Sequence, residues 1–131
     1  MNILFLCVAN SARSQMAEGL AKNMLGKDFS IMSAGSFSSY VHPVAIKVMS
    51  EIGIDISKQT SKSINDIDLS HIDMIITLCA EEVCPYVAGD IKKHHWPMPD
   101  PAKAINESEQ LALFREIRDS LKVHIELLKI N

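Results

Sequence analysis

The chain has 131 residues, 47% of them apolar, which fits one domain over residues 1–131 and is enough to bury a real core. Its formal charge of -3 and its scattered lysines give no basic stripe, so nucleic acid is not expected as a partner. No stretch nears membrane-spanning length, and Ile3 to Val8 is too short for a signal-peptide core, so a cytoplasmic protein with no membrane partner is expected.

Ile3 to Leu6 predict a buried strand at about 2 to 7, and Gln15 to Leu25 a helix at about 14 to 25. Between them runs Cys7-Val8-Ala9-Asn10-Ser11-Ala12-Arg13-Ser14. Small and polar residues here let the backbone close round an anion. Loop and helix N–H groups then point at its oxygens, and Arg13 can grip two of them. The same positive field would keep Cys7 as thiolate, the attacking form. Ser14 is available to hydrogen-bond the sulfur or to cap the helix. A cysteine beside an apolar run is more often a small core residue; the strand, loop and helix around this one favour a nucleophile.

A second strand is expected at about 29 to 34, then a helix at about 43 to 53 with Pro43 in its first turn and Gly53 at its end. Met74 to Leu78 form the clearest buried strand, within about 73 to 79, and a fourth falls at about 91 to 96. The last helix, at about 107 to 129, begins with Asn106 and Glu109 in capping-box spacing. Its Leu111, Phe114, Ile117, Leu121, Ile125 and Leu128 make one apolar stripe that belongs to the core. This alternation predicts an α/β fold, a four-stranded parallel sheet with helices on both faces. Ligands bind beyond the carboxyl ends of such strands. Cys7 and Cys79 are expected to end the first and third strands, and Asp100 lies in the loop after the fourth, so all three fall on one functional edge.

Cys79 and Cys84 stand close together after the third strand. Zinc normally takes four ligands, and two thiols with His94 and His95 some way off make a poor set, so no metal is expected. Three cysteines are an odd number, which argues for reduced, reactive thiols rather than a structural disulfide framework. An ordered thiol exchange needs a second nucleophile near the first and a third to relieve it. His42, His71 and His124 read as surface or capping residues, Trp96 as packing beside the functional edge, and Glu81 and Glu82 as solvated charges.

Taken together, several segments carry a resemblance: Cys7 to Arg13 with Ser14-Gln15-Met16-Ala17-Glu18, Ser33-Ala34-Gly35, Gly53 to Ser57, Thr77-Leu78-Cys79, Cys84-Pro85, His95-Trp96 and Asp100-Pro101-Ala102. Over nearly its full length the chain resembles the low-molecular-weight tyrosine phosphatase superfamily, whose fold is a flavodoxin-like three-layer sandwich, and more closely its thioredoxin-coupled arsenate reductase branch. Phosphatases of the family usually carry Pro where Gln15 stands and an aromatic residue where Ala102 stands, and they lack the paired thiols.

The resemblance implies that arsenate, with phosphate or sulfate as analogues, sits in the loop of Val8, Ala9, Asn10, Ser11, Ala12, Arg13 and Ser14. Cys7 attacks arsenic while a protonated Asp100 supplies a proton to the departing oxygen. Cys79 then attacks Cys7, arsenite leaves, and Cys84 moves the disulfide to the Cys79 and Cys84 pair, where thioredoxin reduces it. Glutaredoxin or glutathione is the alternative reductant. The segment from Cys79 to Gly89 must move for this relay. No bound cofactor is expected, the protein is expected to be a monomer in arsenic detoxification, and weak phosphatase activity should accompany it. Some members bind potassium through residues matching Asn10, Glu18 and Ser33 plus an aspartate where this chain has Lys62, so the Lys62 ammonium is expected to take the cation's place. Ala12 stands where many relatives have a further cysteine, and the insert between the last two thiols is short. The competing readings are a tyrosine phosphatase using Cys7, Arg13 and Asp100, a phosphocysteine carrier domain, which Arg13 and Asp100-Pro101 oppose, and a thiol redox sensor that ignores arsenate.

Overall fold

The computed structural model describes residues 1–80, 87 and 89–130. Four strands, β1 (Asn2–Cys7), β2 (Ser30–Gly35), β3 (Met74–Thr77) and β4 (Lys92–His95), pair in parallel in the order β2-β1-β3-β4. Three α-helices, α1 (Arg13–Met24), α2 (Pro43–Ser50) and α3 (Glu107–Ile130), join single 3-10 turns at Ile64–Asp66, Leu69–His71 and Pro101–Lys103. All seven regular elements expected from periodicity are present. The 3-10 turns have no apolar period to announce them. Ser63, Asp68 and Asp100 open them instead, each side chain accepting the N–H two residues ahead.

β1 is buried on both faces, as a central parallel strand must be. Ile3 and Phe5 meet α1, α2 and α3, whereas Leu4 and Leu6 face a second cluster with Ala34, Ile72, Ile75 and Val87. Among the described residues, that second face is covered by Ile64, Ile67 and Leu69 from the two 3-10 turns and their flanks. The stripe of α3 buries Phe114, Ile117, Leu121 and Ile125, with Leu111 and Leu128 at its margins. Asn106 caps this helix by accepting the Glu109 N–H at 2.8 Å. α2 ends at Ser50, and Gly53 lies just beyond it at φ +79, the left-handed conformation that lets Ile54 N–H return to Met49 O at 3.0 Å. Glu51 then ties α2 to α3, accepting from Arg115 at 2.6 Å and Arg118 at 2.9 Å; the hydrogen bonds from Arg115 lead in lowering its pKa to about 2. No helix among the described residues is long and apolar enough to cross a membrane.

The register sets the functional edge. Cys7 lies opposite Gly35, Leu6 opposite Thr77, and Thr77 opposite His95, so the strands end nearly level. The loops leaving these ends therefore share one side of the sheet. β3 stops at Thr77, two residues before Cys79, which corrects the expectation that Cys79 closes the strand. Pairing continues past the strand all the same, with Leu78 N–H donating to Leu6 O at 2.9 Å.

Candidate active site

Cys7 is 2% exposed and lies at the floor of a cavity of about 480 Å³. The loop of residues 8–13 surrounds it. Phe37, Tyr40 and His42 form one rim, and Asp100, Ala102 and Lys103 the other.

The loop owes its shape to where its carbonyls go. Val8 O accepts from Phe37 N at 3.3 Å, Ala9 O from Ser39 Oγ at 2.9 Å and Ser61 Oγ at 3.2 Å. Asn10 O accepts from Gln15 Nε2 at 3.1 Å, Ser11 O from His42 N at 3.0 Å, and Ala12 O from Met16 N at 3.0 Å. A trans peptide points its carbonyl and its N–H in opposite directions. Every peptide of the loop is trans, so the N–H groups of Ala9 to Arg13 point away from the partners that take up these carbonyls. That is a preformed anion cradle. Asn10 turns the corner at φ 49, a left-handed conformation that asparagine tolerates better than most residues.

The Asn10 side chain is also fully used. Its Oδ1 accepts from Lys62 N at 2.7 Å and Gln15 Nε2 at 2.9 Å, which fixes the amide orientation. Its Nδ2 donates to Ser14 Oγ at 2.8 Å and to Ser33 Oγ at 2.9 Å. Ser14 is fully buried, and its Oγ lies 2.8 Å from Cys7 Sγ. With Asn10 as donor to that oxygen, the Ser14 hydroxyl hydrogen is free to turn to the sulfur. Ser14 therefore serves the sulfur and does not cap α1, whose N-cap is Ala12 without a side-chain bond. Farther out, Ser33 Oγ donates to Glu18 Oε1 at 2.5 Å, and Glu18 is paired with Lys22 at 2.6 Å and Lys62 at 3.8 Å. The Lys62 ammonium thus stands near Glu18, but it is the Lys62 backbone N–H that reaches Asn10.

Arg13 is 3% exposed, with Nη1 donating to Met98 O at 3.0 Å and Nη2 lying 4.0 Å from Asp100 Oδ2. Asp100 Oδ1 accepts from Ala102 N at 3.0 Å, so one oxygen is fixed by the 3-10 turn while the other faces the cavity side shared with Arg13. Cys79 is 1% exposed and disulfide-bonded, leaving Cys7 as a free thiol. Cys84, Glu81, Glu82 and the greater part of the segment expected to move lie outside the described residues. Among the described residues, no group of three or more His, Cys, Asp or Glu is placed to hold a metal ion.

Sequence reasoning missed the clamps on the loop: Phe37, Ser39, His42, Gln59, Ser61 and the Met98 carbonyl. Gln59 acts at one remove, donating from Nε2 to Gln15 Oε1 at 2.8 Å. None belongs to a motif. The available signal was topological, since the segment after β2 leaves from the same edge as Cys7. His71 pairs with Asp68 on the surface at 3.6 Å, and His124 holds Ser120 O at 2.8 Å while packing on Trp96. Trp96 in turn stands 6.2 Å from Phe5.

Residues 2–129 match the family model described as low molecular weight phosphotyrosine protein phosphatase. An arsenate reductase of Halalkalibacterium halodurans is 46% identical over 127 residues, covering 95% of this chain and 91% of that protein. A solved arsenate reductase in the phosphate binding state superposes with a TM-score of 0.84 at 36% identity, covering 98% of this chain and 96% of that one. The thioredoxin-dependent arsenate reductase of Corynebacterium glutamicum aligns with a TM-score of 0.71 at 30% identity, over 97% of this chain and 59% of that one. On these matches, and on a cradle built round a buried cysteine, the chain belongs to the low molecular weight phosphotyrosine protein phosphatase family.

Proposed function

We propose that this protein reduces arsenate to arsenite, acting as a monomeric domain over residues 1–131 in the cytoplasm, with thioredoxin as electron donor and no bound cofactor. The observation that carries the reading is the bond from Leu78 N–H to Leu6 O at 2.9 Å. It carries the pairing of β1 and β3 past Thr77, so the segments that hold Cys7 and Cys79 leave from one edge of the sheet, which supports an exchange between them.

Arsenate enters the cradle of inward N–H groups, with Arg13 closing on its oxygens. The Cys7 thiolate attacks arsenic, forming S–As as an As–O bond breaks, and Asp100 protonates the departing oxygen. The Cys79 thiolate next attacks Cys7 sulfur. An S–S bond forms, the S–As bond breaks, and its electron pair stays on arsenic, which departs as arsenite. Cys84 attacks Cys79 and releases Cys7 as thiolate, and thioredoxin reduces the resulting Cys79 to Cys84 disulfide. Ser14 donates to the sulfur at each stage in which Cys7 is a thiolate. Asn10 holds Ser14, while Glu18 and Ser33 hold Asn10.

The test is NADPH oxidation by thioredoxin and its reductase. Reductant consumption should require arsenate and vanish in Cys7→Ser. Arsenate-independent consumption, or none at all, would remove the reading and leave a phosphate-ester hydrolase. Slow hydrolysis of aryl phosphates is expected alongside, because the exposed Phe37 and Tyr40 rings on the cavity rim can receive an aromatic leaving group.

Lys62 supports the cradle in place of a bound monovalent cation, its ammonium supplying charge beside Glu18 and its N–H holding Asn10. Melting temperature and turnover are therefore expected to be the same in potassium and in tetramethylammonium salts of equal ionic strength. A rise of either on adding potassium would show that a cation still binds.

A further inference from the structure

Gln59, Gln15 and Asn10 form one connected set of side-chain amides. Gln15 is fully buried in the first turn of α1. Its Nε2 donates to Thr60 O at 3.0 Å, to Asn10 O at 3.1 Å and to Asn10 Oδ1 at 2.9 Å. Gln59, half-buried in the segment after α2, donates from Nε2 to Gln15 O at 3.0 Å and to Gln15 Oε1 at 2.8 Å. Gly19 brings that segment in. A Cβ there would stand 2.5 Å from Ile56 Cγ2 and 3.5 Å from Gln59 Oε1, so its absence lets Ile56 lie against α1. Gln59 N then donates to Ile56 O at 3.1 Å, which fixes the point from which the glutamine side chain starts.

A backbone N–H can only donate and a carbonyl can only accept, so each of the three amides has one orientation. Lys62 N, at 2.7 Å, requires Asn10 to present Oδ1, which turns Nδ2 to Ser14. Thr60 O requires Gln15 to present Nε2, which leaves Oε1 for Gln59. Gln15 O in turn requires Gln59 to present Nε2. From Gln59 inward, every amide therefore donates toward the sulfur: Gln59 to Gln15, Gln15 to Asn10, and Asn10 to Ser14 Oγ at 2.8 Å. That oxygen is itself 2.8 Å from Cys7 Sγ. Bonds aligned head to tail polarise one another, and a hydroxyl aimed at sulfur stabilises its anion.

We propose that Gln59 is a positioning residue for the Cys7 reaction, acting through the Gln15 and Asn10 amides on the Ser14 hydroxyl. The inference rests on the reading of Cys7 as nucleophile. Gln59 is not needed to hold the loop: Thr60 O and Asn10 O keep Gln15 in place, and Lys62 N keeps Asn10 in place. Its loss is felt along the chain of donors and not in the shape of the cradle.

Gln59→Met keeps the length of the side chain and removes its amide. The variant should fold and melt about 5 °C lower, the effect of leaving Gln15 Oε1 without its donor. In the first turnover, arsenite formation at saturating arsenate should slow about fivefold, the net worth of about one hydrogen bond. The half-saturating arsenate concentration and the inhibition constant of inorganic phosphate should keep their wild-type values. Alkylation of Cys7 by iodoacetamide at neutral pH, followed on its tryptic peptide with no anion present, should slow by the same factor. Gln59→Lys restores N–H donors and should recover most of both rates. A weaker hold on arsenate and phosphate with unchanged alkylation would overturn the proposal and leave Gln59 as a clamp on the loop, and so would wild-type rates throughout. If arsenate yields no arsenite even with the wild-type protein, the reductase reading has failed separately, and the alkylation rates still decide the role of Gln59.

Discussion

Cys84→Ser is expected to make one arsenite per enzyme and then stop. The block follows from burial. Cys7 is 2% exposed on the floor of its cavity, so a disulfide that it makes with Cys79 is held where a dithiol protein cannot reach the Cys7 sulfur. Thiol exchange requires the attacking sulfur to approach along the S–S axis, and without Cys84 no internal thiol can do so. Thioredoxin-linked turnover should fall by at least about two orders of magnitude while the first-turnover rate is preserved, a split that separates chemistry from regeneration. Quenched-flow measurement of arsenite, with peptide mapping of the stalled enzyme, should find Cys7 bonded to Cys79. Continued turnover at the wild-type rate would mean that the reductant reaches the cradle directly and that Cys84 is not part of the path.

Gly35→Ala is expected to be the most damaging single-methyl change in the sheet. A Cβ there would stand 2.5 Å from Val8 O and 2.7 Å from Asn10 N, and both are backbone atoms of the cradle. Neither can swing aside as a side-chain tip would. Gly35 N–H is also bonded to Lys62 O at 2.9 Å, which holds the strand end from the other side. Relief must come from shifting the cradle itself. Overpacking of this kind costs about 3 kcal/mol. A displacement near 1 Å in an anion site lowers kcat/KM by roughly a hundredfold. Thermal melting and steady-state kinetics together would check both parts. A variant with normal melting and normal kcat/KM would show that the cradle is softer than its hydrogen bonds imply.

Most of the fold was legible because periodicity reports burial directly. The Ile3 to Leu6 and Met74 to Ile76 runs are apolar on consecutive residues, as a strand covered on both faces requires, and the stripe on α3 has the helical repeat. The 3-10 turns escaped because single Ser and Asp caps make them, with no repeat to detect. In the site, Cys7, Arg13, Ser14 and Asp100 could be picked out by chemistry and place in the chain. The outward clamps could not. Ser39, Ser61 and His42 act through a hydroxyl or a backbone N–H on carbonyls more than 25 residues away in sequence, and nothing in their identity marks such a partner. His42 was assigned a surface or capping place, and it does cap α2, but its position on the cavity wall depends on the path of the loop after β2. Lys22 was overlooked for a simpler reason: a lysine four residues after a glutamate on a helix usually signals a solvated pair, whereas here Glu18 is 3% exposed.

The loop carbonyls are fastened to several separate parts of the chain, and three of those ties come from Phe37, Ser39 and His42, so the receptor for the anion and that bank of the cavity are held as one piece. Room for a larger or differently shaped leaving group is then more readily made on the opposite bank, at Ala102 and Lys103. Such a change would leave the sulfur and its bed untouched, and with them the step by which an oxyanion is caught.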